Sequence, residues 1–202
     1  MSLLIKNAQT IEGKSVNIFI KGDLIYEIGH RAKVGDQTID ARGNVVLPGI
    51  IDAHVHFRIP GSAHKEDWTT GSHAALAGGV TTVLDMPNNT PAVTSCRLLE
   101  EKRALIRGKS YVNYGLYLGA TETNLSELRA ASSIAGVKVY VGSSTGDLLV
   151  TDYEVIEKIV KNVAAPVLCH SEDEGCLREN YELRITNYET ATNKNVACLH
   201  NT

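Results

Sequence analysis

The stretch Asp52-Ala53-His54-Val55-His56-Phe57-Arg58 sorts its residues by face. Side chains on a β-strand alternate between the two sides of a sheet. One side carries Asp52, His54, His56 and Arg58, and the other carries Ile51, Ala53, Val55 and Phe57. The apolar set is suited to pack against helices, so the polar set is expected to face the interior or the mouth of a barrel. Pro60-Gly61 ends the run and puts His54 and His56 at the C-terminal end of a strand, where the active sites of parallel barrels sit. Two imidazoles at i and i+2 can converge on one metal ion, at Zn–N distances of about 2.0–2.1 Å. The alternative is a histidine pair hydrogen-bonded in a polar core; the sorted faces and the strand-end position weigh against it.

Outward from this stretch the pattern changes at Pro48. Before it lie short β-type runs, Leu3–Ile5, Val16–Ile20, Leu24–Ile28 and Asn44–Leu47, punctuated by Gly13, Gly22-Asp23, Gly29, Gly35 and Gly43. These predict a small antiparallel, sandwich-type β subdomain over residues 1–48. After it, strand-like and helix-like runs alternate. The strand-like runs are Gly49–Phe57, Val80–Met86, Tyr111–Leu118, Val137–Val141 and Pro166–His170. The helix-like runs are Glu66–Ala77, Thr94–Arg107, Leu125–Ile134 and Thr151–Asn162, with a further helix from near Glu172. Thr151-Asp152-Tyr153-Glu154 has the spacing of a helix-capping box. Five βα units in succession predict an α/β fold with a parallel sheet, barrel or open. A closed eight-unit barrel takes about 250 residues. Residues 49–202 are therefore read as an incomplete (β/α)8 TIM-type barrel, and the polar stretch Asn187–Thr202 offers no clear sixth strand.

Composition excludes other classes. The 202 residues carry a formal net charge of −3, are 43% hydrophobic and contain four cysteines. No basic run supports nucleic-acid or membrane-surface binding. No apolar run is long enough to span a bilayer. The cysteines have no regular spacing, which fits a reducing cytoplasm better than a disulfide framework. Met1–Asn7 lacks a basic region followed by an apolar core, so no signal peptide is expected.

Two more strand ends carry chemistry. Lys138 interrupts the apolar run Gly136–Tyr140, and burying an ammonium is costly. Either it snorkels to the surface or pairs with a carboxylate, or it is kept for a reaction. His170 closes Pro166-Val167-Leu168-Cys169-His170, with Cys169 on the opposite, packing face. Arg58 lies just beyond the histidine strand, where a guanidinium could hold a carboxylate through two parallel hydrogen bonds. Its alternative is a surface salt bridge, and that of Asn88, in Met86-Pro87-Asn88, is a turn-forming role. His64 and His73 are read as a rim residue and a helix residue of structural use. Cys198 and His200 lack partners of metal-binding spacing. Cys96 and Cys176 have no nucleophile context, and Gly78-Gly79 is a turn rather than a phosphate loop.

His54-Val55-His56-Phe57-Arg58-Ile59-Pro60-Gly61, followed by Lys65-Glu66-Asp67, Gly78-Gly79-Val80-Thr81-Thr82 and Met86-Pro87-Asn88, resembles the amidohydrolase superfamily in its dihydroorotase form. The likeness runs to about Glu174. It implies a distorted (β/α)8 barrel with a small β domain and two divalent metal ions, with zinc the first candidate. His54 and His56 would hold one ion and His170 the other. Lys138 matches the family lysine that takes up carbon dioxide and, as a carbamate, bridges the two. Arg58 and Asn88 match residues that bind the carboxylate of dihydroorotate, and hydantoinases and allantoinases generally lack the arginine. The implied reaction is reversible opening of dihydroorotate to N-carbamoyl-L-aspartate, a step of pyrimidine synthesis. The resemblance also calls for a sixth-strand histidine and an eighth-strand aspartate, the general acid/base. Neither is placed in this sequence, and His200 lies too close behind His170 to serve. Two alternatives stay open beside a dihydroorotase-like fragment. One is a noncatalytic metal-binding or interaction half-barrel, as a homo-oligomer or with a complementing chain. The other is a hydantoinase- or allantoinase-like hydrolase.

Overall fold

The computed structural model describes residues 1–30, 33–142 and 148–181. The chain falls into two compact units, Met1–Gly49 and Ile50–Thr202.

In the first unit, β1 (Ser2–Gln9), β2 (Ser15–Lys21), β3 (Leu24–Gly29) and β4 (Gln37–Asp40) form one sheet in the order β3-β2-β1-β4. Gly22-Asp23 joins β2 to β3 as a two-residue hairpin, with Lys21 opposite Leu24. β1 and β2 are antiparallel, but β4 runs parallel to β1, pairing Leu3–Lys6 with Gln37–Asp40. The sheet is therefore mixed, not antiparallel throughout, and the described residues form one layer rather than a sandwich. Its fourth strand is Gln-Thr-Ile-Asp, too short and polar to stand out in the sequence. The apolar run Asn44–Leu47 forms only a bridge, between Val45 and Gln9. Pro48 bars its continuation as a ladder, because proline has no N–H to donate.

The second unit alternates strand and helix. Its elements are β5 (Ile50–Val55), α1 (Trp68–Ala77), β6 (Val80–Asp85), α2 (Cys96–Ile106), β7 (Asn113–Gly119), α3 (Leu125–Ala130), β8 (Gly136–Tyr140), α4 (Tyr153–Asn162) and β9 (Val167–His170). Residues 174–181 form a further helix. The five strands pair in chain order, β5-β6-β7-β8-β9, and every pairing is parallel. This is the strand order of a (β/α)8 barrel, here as a curled part-barrel.

Helix starts follow capping chemistry. Asp67 accepts from the N–H of Thr70 while the Thr70 side chain accepts from the N–H of Asp67, a complete capping box. At α4 the cap is Asp152, which accepts from the N–H of Glu154, and not Thr151. Side-chain alternation then builds the core. Val137 and Val139 of β8 join Val83, Leu116 and Leu118 against Trp68, Leu99, Ile106, Leu128 and Ile159 of the helices. Lys138 and Tyr140 project to the other side of β8, away from the helices.

Three expected packing residues are open. Ile51, assigned to the helix-facing side of β5, is 64% exposed, Ala53 on the same side is exposed, and Cys169 of β9 is exposed. All three lie on the outermost strands of the described sheet, where a neighbouring strand covers only one edge.

Candidate metal centre

β5 places His54, and its continuation places His56. The core fixes this segment from behind. The Phe57 ring packs edge-on against Trp68, at 4.9 Å between centroids. Gly71 of α1 makes room for it, since a Cβ there would lie 2.8 Å from the Phe57 ring. With Phe57 buried among the helices, its neighbours His56 and Arg58 are turned the other way. The turn that follows needs glycine at Gly61, where φ is +109° and a Cβ would lie 2.6 Å from the Thr90 carbonyl oxygen. The loops after β5 and β6 therefore meet backbone to backbone.

The imidazoles of His54 and His56 face each other, their centroids 5.2 Å apart and their planes tilted by 49°. The Nδ1 of His56 lies 2.7 Å from the carboxamide oxygen of Asn88. That oxygen only accepts, so Nδ1 carries the proton and donates, leaving the Nε2 lone pair to bind a metal. Asn88 thus orients a candidate ligand, and its NH2 group remains to donate elsewhere. Such outer partners fix ring direction and basicity in metal sites.

Lys138 is 3% exposed. Its ammonium has no hydrogen bond or ion pair among the described residues; Nζ lies 5.2 Å from the Tyr140 ring centroid. Burial holds its pKa below the ordinary lysine value. Tyr140 is 94% buried and its hydroxyl has no hydrogen-bond partner among the described residues. Burial, with the charge of Asp85, pushes that hydroxyl up to about 12. His170 ends β9 with its ring 5.9 Å from that of Tyr140 and its Nε2 3.3 Å from Glu172 Oε2. The structure thus places His54 at the end of β5 with His56 just beyond it, Lys138 at the middle of β8, and His170 at the end of β9. The cationic form of His54 is opposed by Lys138, His56 and His170 together. Among the described residues, no three His, Cys, Asp or Glu side chains are grouped closely enough to hold a metal. Arg58 is half-buried, its guanidinium has no hydrogen bond or ion pair among the described residues, and its charge is felt by His56 and Asp85. His73 stacks on Tyr111 at 3.8 Å. Cys198 and His200 lie outside the described residues, as does the whole stretch Asn187–Thr202.

The amidohydrolase family pattern matches residues 45–189. The chain belongs to the amidohydrolase family. As an amidohydrolase-family chain it is 36% identical over 177 residues to a dihydroorotase of Methanosphaera stadtmanae, a match spanning 85% of this chain and 40% of that protein. It is 39% identical over 179 residues to a dihydroorotase of Methanosarcina mazei, spanning 84% and 39%. It is 41% identical over 147 residues to one of Halobacterium salinarum, spanning 72% and 35%. The chain therefore spans about two-fifths of the length of the dihydroorotases it matches. Among solved structures, the L-hydantoinase of Arthrobacter aurescens superposes with a TM-score of 0.83 at 23% identity, over 91% of this chain and 44% of that one. A D-hydantoinase superposes with a TM-score of 0.78 at 26% identity, over 93% and 44%. The first of these likenesses establishes the fold.

Sequence reading of this amidohydrolase-family chain passed over one pair beside the site. Asp85 of β6 and Lys102 of α2 form an ion pair at 2.6 Å, with both side chains fully buried. The signal was there: Leu99, Lys102 and Ile106 share one helical stripe, and the two apolar members are buried.

The histidines make the fold acid-sensitive. Burial is the first cause holding both below the ordinary 6.5; Lys138 adds to it for His54, and Arg58 adds to it for His56 against the raising effect of Asn88. The unfolded chain takes up these protons near pH 6.5, and the folded chain resists them. Stability from this source is complete above about 6.5 and is lost as the pH falls through the folded values. Urea unfolding of the chain without added metal is expected to show a lower midpoint at pH 5.5 than at pH 7.5. The loss should shrink in a His54→Gln/His56→Gln variant; equal losses in both proteins would remove the histidines as its cause.

Proposed function

We propose that this chain carries the metal-holding half of a dihydroorotase-type cyclic amide hydrolase. The observation that carries the reading is the buried Lys138, without an acidic partner among the described residues, whose charge is felt by His54 and His56, with His170 at the end of the adjoining strand β9. In chemical type the donor set suits the group the family implies. Neutral imidazoles are the protonation state metals require. A desolvated amine with lowered pKa is the nucleophilic form that captures carbon dioxide. Capture would turn a buried cation into an oxygen ligand, and the Tyr140 hydroxyl, like that cation without a partner among the described residues, is a donor in want of an acceptor. On this reading His54 and His56 hold one divalent ion, His170 the other, and carboxylated Lys138 serves both, with zinc the first candidate. When bound, the metals supply Lewis-acid activation of water and of the ring carbonyl.

The chain's own residues supply orientation. Asn88 fixes the His56 ring so that Nε2 faces outward. The Arg58 guanidinium, without a hydrogen bond or ion pair among the described residues, is suited to grip a ring carboxylate. The NH2 group of Asn88 can donate to the same carboxylate, so one residue would serve ligand and substrate. The similarity to dihydroorotases at 36–41% identity supports this choice of ring. The general acid/base and the remaining ligand are not assigned to any residue of this chain.

The test is hydrolysis of dihydroorotate, with hydantoin in parallel, by the purified protein supplied with zinc and bicarbonate. Arg58→Ala is expected to raise KM for dihydroorotate by about 10- to 100-fold, the worth of a charge-assisted hydrogen-bond pair at about 1.5–3 kcal/mol, and to leave hydantoin turnover unaffected. Zinc binding without turnover of either ring would identify a noncatalytic metal-binding half-barrel. Turnover of hydantoin alone would overturn the choice of an acidic ring.

A further inference from the structure

The buried pair Asp85–Lys102 touches no part of the site, yet every bond it makes leads there. Lys102 reaches from α2 to the end of β6. Its Nζ donates to Asn89 Oδ1 at 2.6 Å and to the Met86 carbonyl at 3.1 Å, and it lies 2.6 Å from Asp85 Oδ2. Two of its N–H groups donate, to Met86 and Asn89, and its charge pairs with Asp85, all on the segment that carries Asn88. The other Asp85 oxygen, Oδ1, accepts from the N–H of Phe57 at 2.7 Å. On either side of that bond, Met86 N–H donates to the Val55 carbonyl at 2.9 Å and the Asn89 side chain donates to the Ile59 carbonyl at 3.1 Å. Residues 55, 57 and 59 are thus fastened to residues 85, 86 and 89, while the intervening His56 and Arg58 are left to face the strand ends.

A buried ion pair is a poor device for stability. The desolvation of two charges offsets most of their attraction, and well-packed apolar side chains often do as well. What apolar side chains cannot do is accept from Phe57 and donate to Met86 and Asn89 at once. We propose that Asp85 and Lys102 are positioning residues that set the His56 ring against Asn88, fixing which imidazole nitrogen is offered to a metal. The metal-binding purpose rests on the function proposed above, whereas the fixing of the ring does not.

The experiment compares wild type with Asp85→Asn/Lys102→Met, which removes both charges and keeps an acceptor for Phe57. Nitrogen NMR of the His56 ring, at pH 7.5 without added metal, reads the tautomer, and competition with a chelator reads zinc affinity. Wild type is expected to hold the proton on Nδ1. The variant is expected to show a mixture of tautomers and zinc binding weaker by about 10- to 100-fold, the usual cost of losing an outer partner of a ligand. A variant that keeps the Nδ1–H signature and wild-type zinc affinity, whatever its melting temperature, overturns the proposal. If the double variant does not fold, Asn89→Ala carries the same comparison, because it cuts the ties to Lys102 and Ile59 and spares the ion pair. Failure of wild type to bind zinc would count against the metal-site reading alone, and the tautomer would still decide this one.

Discussion

Lys102→Met is expected to lower the unfolding free energy by about 3–5 kcal/mol, the range found when one partner of a buried ion pair is removed. Lys102 and Asp85 are both fully buried, so no water reaches the carboxylate left behind. Burial already pushes Asp85 above the ordinary carboxylate range and Lys102 below the ordinary lysine range, each opposed by its partner's charge. Without the ammonium, Asp85 must either remain as an uncompensated anion or take up a proton. The loss in Lys102→Met should therefore be smaller at pH 5 than at pH 8. Asp85→Asn/Lys102→Met should recover most of the stability, since it leaves no charge behind. Urea unfolding of wild type and the two variants at both pH values checks this. A single variant as stable as wild type at pH 8 would mean that the pair is not dry.

The second large effect concerns metal affinity. His56→Ala removes a candidate ligand, and zinc binding should fall by more than about 100-fold, beyond the 10- to 100-fold range of outer partners. Asn88→Ala leaves the ligand and removes its orienting acceptor, 2.7 Å from Nδ1, so it should fall within that range. Chelator competition measures both. The order of the two losses is the informative result. If Asn88→Ala binds zinc as well as wild type, the hydrogen bond does not prepare the ring, and Asn88 is left with substrate alone. If His56→Ala does so, the histidine pair is not the metal centre.

The sequence was informative wherever one residue type conflicted with its surroundings. His54 and His56 stood out because strand alternation put two imidazoles on the side opposite Val55 and Phe57. Lys138 stood out as a charge inside an apolar strand. The βα rhythm after Pro48 was legible because the strands are largely apolar and α1, α2 and α4 each have a capping side chain. What could not be read was whatever depends on packing between distant segments. Asp85 and Lys102 meet only when α2 lies on β6, so the stripe Leu99, Lys102 and Ile106 marks the lysine for burial but does not name its partner. β4 escaped notice because its four residues carry one strongly apolar side chain, and its parallel pairing with β1 is a property of the connection rather than of the residues. Asn88 was read for what it could offer a substrate; its bond to His56 depends on how the loops after β5 and β6 approach one another at Gly61 and Thr90.

The strict chain order of the sheet has a temporal side. Each strand from β6 to β9 docks on the one made just before it, so the growing chain can add a unit as soon as it leaves the ribosome, with short loops to close at each step. The His56–Asn88 bond and the Asp85–Lys102 brace need only β5, β6 and α2, all within the first 106 residues. Lys138 and His170 come later, on β8 and β9. Synthesis would therefore set the histidine pair in its final orientation before the lysine whose charge it feels has been made.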